Sequence, residues 1–177
     1  MKKIKMSNHL ISFITVFTCY SILNLNFLFA SSPKFQDYDY ILHTYVNDTG
    51  QINFKDLEKN DADMLKLKNF LISINDFTFA EYSKLNKEEQ IIFWIETYNA
   101  TLLKIAANNY PIQKRFFTFF LYPNNSIQHL GKLTNKKITI FNKSMTLDAI
   151  KNKIVELDGP KAIFTLTTLS KTSPELR

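Results

Sequence analysis

The chain predicts an α+β fold in one domain, with a helix-rich N-terminal half packed on a small β-sheet from the C-terminal half. Three observations carry this prediction. Apolar residues recur at helical spacing between Phe35 and Ile105. The strongest of these segments has a capping signal at its start and a Tyr-Pro pair at its end. Short β-rich segments appear only later, from Ile138 onward. With 177 residues, 45% hydrophobic and 21% charged, the chain can build a core and is too apolar for wholesale disorder.

The first thirty residues have the anatomy of a secretory signal peptide. Lys2, Lys3 and Lys5 precede an apolar run, and no charge occurs between Leu10 and Ala30. Ala30-Ser31-Ser32-Pro33 then supplies small residues and a breaker, so cleavage is expected after Ala30. The domain plan is therefore signal peptide 1–30 and domain 31–177, exported to the periplasm or beyond. An uncleaved anchor is the competing reading, because Leu10–Ala30 is just long enough to span a bilayer. Membrane contact is expected only in that case. Cleavage removes three Lys and no acid, leaving 19 basic residues against 16 acidic, a net +3. It also removes the only cysteine, Cys19, so the mature chain has no thiol for catalysis.

In the mature part, Phe35, Tyr38, Ile41, Leu42 and Tyr45 predict a first helix ending near Asn47-Asp48-Thr49-Gly50. His43 is expected to be a half-buried packing residue of that helix. A second helix runs from about Asp61 with Met64, Leu67, Leu71 and Ile74 on one face. Asn86 and Glu89 form a capping-box-like start to a third, in which Ile91, Ile95, Tyr98, Leu102 and Ile105 recur at steps of four and three. The aromatic run Phe116–Tyr122 is compatible with either a buried strand or a loop wrapping the core. Ile138–Phe141 reads as a strand and Thr146 as the start of a helix through Ile154. Ile163–Thr168 reads as a second β-rich strand.

Composition argues against several function classes. Arg115 and Arg177 are the only arginines, and readers of nucleic acid favour the bidentate guanidinium fork, so no nucleic-acid partner is expected. Asn47–Asp56 imitates half of a calcium loop, but its first ligand position is Tyr45 and its last is Asp56, so a Gly50-containing turn is the better account. Asp61 and Asp63 suit a helix's first turn better than a metal. No cofactor and no metal are expected. Lys136-Lys137 reads as a solvated hairpin or loop tip. His129, in a loop, is a candidate general base.

Trp94-Ile95-Glu96-Thr97-Tyr98-Asn99-Ala100, with Tyr110-Pro111 after it, resembles the hallmark Phe-Trp-Ile-Asn-x-Tyr-Asn-Ala and Tyr-Pro of the domain of unknown function 547 family. Asn125-Ser126-Ile127, Thr146-Leu147-Asp148-Ala149-Ile150 and the Phe164–Arg177 segment are similar to further family blocks in the same order. The resemblance implies an exported bacterial protein and makes Trp94, Tyr98, Asn99, Ser126 and Arg177 candidate binding positions. It also implies a Glu-His pair, a His and two Cys, where this chain has Lys151-Asn152, Ile163, Thr168 and Ser173. Glu96 replaces the family's helix asparagine. A scaffold without that chemistry, ending at Arg177 where relatives continue, is expected to be a non-catalytic binding domain or a degenerate, truncated copy. The alternative is a hydrolase with a relocated site: Ser170 or Ser173 as nucleophile, His129 as base and Glu96 as orienter.

Overall fold

The computed structural model describes residues 33–113, 121–122, 124–166 and 169. The signal segment, most of the aromatic run, Arg115, Ser170, Ser173 and Arg177 lie outside the described residues. Five α-helices come first: α1 (Phe35–Tyr45), α2 (Phe54–Lys59), α3 (Asp61–Asp76), α4 (Phe79–Tyr82) and α5 (Lys87–Asn108). A hairpin of β1 (Lys137–Ile140) and β2 (Lys143–Thr146) then leads into α6 (Leu147–Asp158). The α+β expectation holds, with the small antiparallel sheet in the C-terminal half.

Local chemistry explains the element boundaries. The Asn86 side chain accepts from the Glu89 N–H while Glu89 accepts from the Asn86 N–H, the reciprocal capping box read from the sequence. Thr78 and Glu81 repeat this device on α4, Asn60 caps α3, and Thr146 caps α6. The Gly50 segment is a turn, closed by a Val46–Ile52 bridge. Asn47 Oδ1 accepts there from the Thr49 N–H and hydroxyl and from the Gln51 N–H.

α5 is the axis of the fold and packs against α2, α3 and α6. Its buried face is wider than the Ile91–Ile105 stripe and includes Phe93, Trp94, Thr97, Ala100, Leu103, Ala106 and Ala107. Small residues here let neighbouring helices approach closely. The hydroxyls of Thr97 and Thr101 donate to the carbonyls of Phe93 and Thr97, so neither is left unpaired in the core. Asp63 is buried in the first turn of α3 and accepts from Tyr45 Oη, Asn60 Nδ2 and Lys66 Nζ. Burial alone would raise its carboxyl, but the hydrogen bonds from Lys66 and Tyr45 prevail and hold it below the usual range.

Three expectations are corrected. Ile163–Thr165 belongs to a 3₁₀ helix, Pro160–Thr165, and not to a strand. Pro160 opens it after Gly159 (φ 83°), and Ala162 within it and Leu166 just after it are buried while Phe164 is 74% exposed. β-branched composition is overridden there by one-sided packing on α6. His43 is exposed, not half-buried, because Tyr38, Ile41, Leu42 and Tyr45 take the inner face of α1; it pairs with Asp39 at 3.4 Å. Lys136 and Lys137 do not form the hairpin tip: Lys137 opens β1, and the tip is Phe141-Asn142.

Both tip residues have positive φ (51° and 58°), the pattern of a two-residue type I′ turn. A phenylalanine in this region is strained. Its ring stacks on Phe93 at 5.6 Å and lies within 6 Å of Tyr82, Phe79 and Trp94, so packing holds the strained backbone in place. Phe141→Asn should relieve the turn but still lower stability by about 2 kcal/mol, since the lost ring contacts outweigh the strain. A thermal melt reads this directly; an unchanged or raised Tm would show that turn geometry, not the ring, governs the hairpin.

Candidate functional site

The family-like motif on α5 divides into an anchor and a cleft-facing half. Trp94 is buried and its Nε1 donates to Tyr82 Oη at 2.8 Å, while Tyr82 donates to Gln90 Oε1. That chain satisfies every polar atom of the indole, so Trp94 serves the core and presents nothing to a ligand. Asn99 is buried as well. Tyr98 is half-buried, and its phenol is raised by burial first and by Asp148 second, which keeps it a neutral hydrogen-bond donor.

Tyr98 lines a cleft of about 450 Å³ with Leu102, Tyr122 and the turn after residue 127, from which Gln128, Lys132 and Thr134 contribute. The turn is built by the Asn-Ser-Ile segment. Ser126 caps a 3₁₀ helix, Ile127–Leu130, by accepting from the Gln128 N–H, and its carbonyl accepts from the His129 N–H. His129 is fully buried in that helix, with the Tyr122 ring edge-on to it at 5.9 Å. Two motif segments that are far apart in the sequence meet here, α5 at Tyr98 and the 3₁₀ helix after Ser126, and the charge of Asp148 at the start of α6 reaches Tyr98. Among the described residues lining the cleft, none is a carboxylate or an imidazole.

Glu96 lies elsewhere. Two positions from Tyr98 on a helix is about 200° of rotation, so the two side chains point to opposite sides of α5. Glu96 is half-buried towards α1, near the buried Tyr38 and near Asp39. Its carboxyl is pushed up to about 7, by burial first and by the Asp39 charge second. The Tyr38 hydroxyl beside it is buried with no hydrogen-bond partner, and its pKa is raised by burial and by Glu96. This corner carries an electrostatic cost with no visible return in stability. Of the relocated hydrolase set, Glu96 and His129 belong to different faces of the fold, while Ser170 and Ser173 lie outside the described residues. Of the binding set, Tyr98 and the Ser126 loop come together, Trp94 is an anchor, and Arg177 lies outside the described residues. Periodicity could not have separated Trp94 from Tyr98, because both sit on apolar positions of one helix.

Because the folded chain holds the Glu96 proton more tightly than the unfolded chain, this group's contribution to stability is full below about pH 4.5 and is lost as pH rises through about 7. Glu96→Gln should therefore stabilise the protein by about 2 kcal/mol at pH 8 and by nearly nothing at pH 4. Melts at both pH values test this; an equal gain at both would assign the effect to packing instead of charge.

Neither the curated proteins nor the solved structures include one that matches the chain significantly. The family described as "Protein of unknown function, DUF547" matches residues 82–177, more than half of the chain, and these residues hold α5, the Ser126 loop, the hairpin and α6. The chain belongs to the DUF547 family.

Proposed function

We propose that this chain is an exported, non-catalytic member of its family that binds a small polar ligand in the Tyr98 cleft. One observation carries the reading. The segments that resemble the family's motifs converge on a cleft whose described lining offers phenols, an amide, a hydroxyl and one ammonium, and neither carboxylate nor imidazole. Such a lining can orient a ligand with hydrogen-bonding edges and one apolar face resting on Leu102 and Leu133. Among its described lining residues it offers neither a carboxylate nor an imidazole to take a proton from a nucleophile. Lys151 and Asn152, where the family resemblance implies a Glu-His pair, support the same reading: an ammonium and a carboxamide do not replace a carboxylate and an imidazole.

A fragment screen by saturation-transfer NMR on the full chain should find neutral hydroxylated or aromatic compounds that bind wild type and lose about tenfold in affinity with Tyr98→Ala. Hydrolysis of a p-nitrophenyl ester that disappears in Ser170→Ala or Ser173→Ala, and in His129→Gln, would replace this reading with the hydrolase. Export is tested separately by N-terminal sequencing of the protein from the producing cell. A chain beginning at Ser31 is expected, and an intact Met1 would establish the membrane-anchored alternative.

A further inference from the structure

A second cleft, of about 590 Å³, opens between α3, α5 and the hairpin, and shares no lining residue with the Tyr98 cleft. Four lysines converge on it from three elements: Lys68 of α3, Lys104 of α5, and Lys136 and Lys137 at the start of β1. Its described lining contains no acid, and none of the four has an ion-pair partner among the described residues. The Lys104 ammonium is half-buried and lowered, by burial first and by the charge of Lys68 second. Like charges gathered on a concave, partly dry surface repel one another, and an anion seated between them relieves that repulsion.

The remaining lining narrows the chemistry. Lysines are point charges without a planar fork, so they suit a compact, multiply charged group such as phosphate better than they discriminate a flat carboxylate. Asn75 and Asn108 add carboxamides to the cleft wall beside the lysines. The floor is apolar, with Leu71, Ile105 and Ile138, and Ile72 at its edge is 44% exposed. An adjoining depression shares Lys68, Lys104 and Asn108 and continues past Met64 and Leu65 to Asp61. Leu65, 51% exposed, and Ile72 are seven residues apart on α3, which makes an apolar track about 10 Å long beside the charged centre. We propose that this cleft binds a phosphate monoester carried on an apolar body, with the phosphate among the four lysines and the apolar part along α3.

Soluble alkyl phosphates and phosphatidic acid present the same chemistry, and titration distinguishes them. On the full chain, calorimetry with octyl phosphate below its aggregation threshold should show saturable binding, at least about tenfold tighter than inorganic phosphate, while octyltrimethylammonium should not bind. Lys68→Gln with Lys104→Gln should weaken the octyl phosphate about tenfold, and Lys153→Gln on α6 should leave it unchanged. If the first pair fails to fold, Lys136→Gln with Lys137→Gln is the substitute, because both residues are exposed where the chain enters β1. Binding to phosphatidic acid vesicles but not to octyl phosphate, with the same lysine dependence, would support the proposal with a lipid as the source. Absence of binding in both arms, binding indifferent to both lysine pairs, or displacement by short single-stranded DNA at equal phosphate concentration would overturn it.

Discussion

The contact between the Phe141 ring and the aromatic cluster of Tyr82, Phe93 and Trp94 is the constraint on which the C-terminal half depends. A two-stranded hairpin is marginal by itself, and this one turns through a phenylalanine in an unfavourable backbone region. It persists because its tip is clasped by α4 and α5. The consequences extend past the tip. Once it is fixed, β1 lies along the cleft wall formed with α3 and α5, and β2 leads directly into the Thr146 cap of α6. One apolar interaction thus helps set the geometry of the charged cleft, which Asn142 of the same tip lines.

Polar groups inside this core follow a rule from which the Tyr38 hydroxyl and Asn75 Oδ1 depart. Thr97, Thr101, Ser73 and Asp63 are buried, and each is satisfied by a carbonyl, a cap or a neighbouring side chain. Glu96 beside Tyr38 departs from the rule, for its carboxyl is desolvated next to Asp39 and the phenol is unpaired. The family resemblance implies an asparagine at this position, which would carry no charge. The substitution therefore reads as a tolerated cost of burial, and its location opposite Tyr98 keeps it away from the cleft where the motif segments converge.

The helices were legible because their signals are local. The Asn86–Glu89 pair, the stripe on α3 and the Thr146 cap each state a boundary within four residues, and the structure uses all three. α2, α4 and β2 were not legible. Two are too short to show a period, and Lys143-Ser144-Met145-Thr146 has no apolar alternation that would mark a strand; it pairs because Ile138–Ile140 lies opposite. Ile163–Thr165 shows the reverse case, where β-branched composition was outweighed by the burial of Ala162 in the 3₁₀ helix and of Leu166 after it. The site was legible only in part. The motif named α5 and the Ser126 loop, which border the candidate cleft, but Trp94 and Tyr98 differ in placement through what packs beside them.

By itself the sequence determined the α+β class, the capped central helix and membership of the family, because caps, periodicity and motif order are properties of neighbouring residues. Only the tertiary structure decided that His129 is enclosed, that Glu96 and Tyr98 face opposite ways, and that four lysines separated by up to sixty-nine positions share one cleft. Burial and charge density arise from distant segments brought together. A positive balance that looked dispersed along the chain becomes, once folded, a concentrated field on one concave surface.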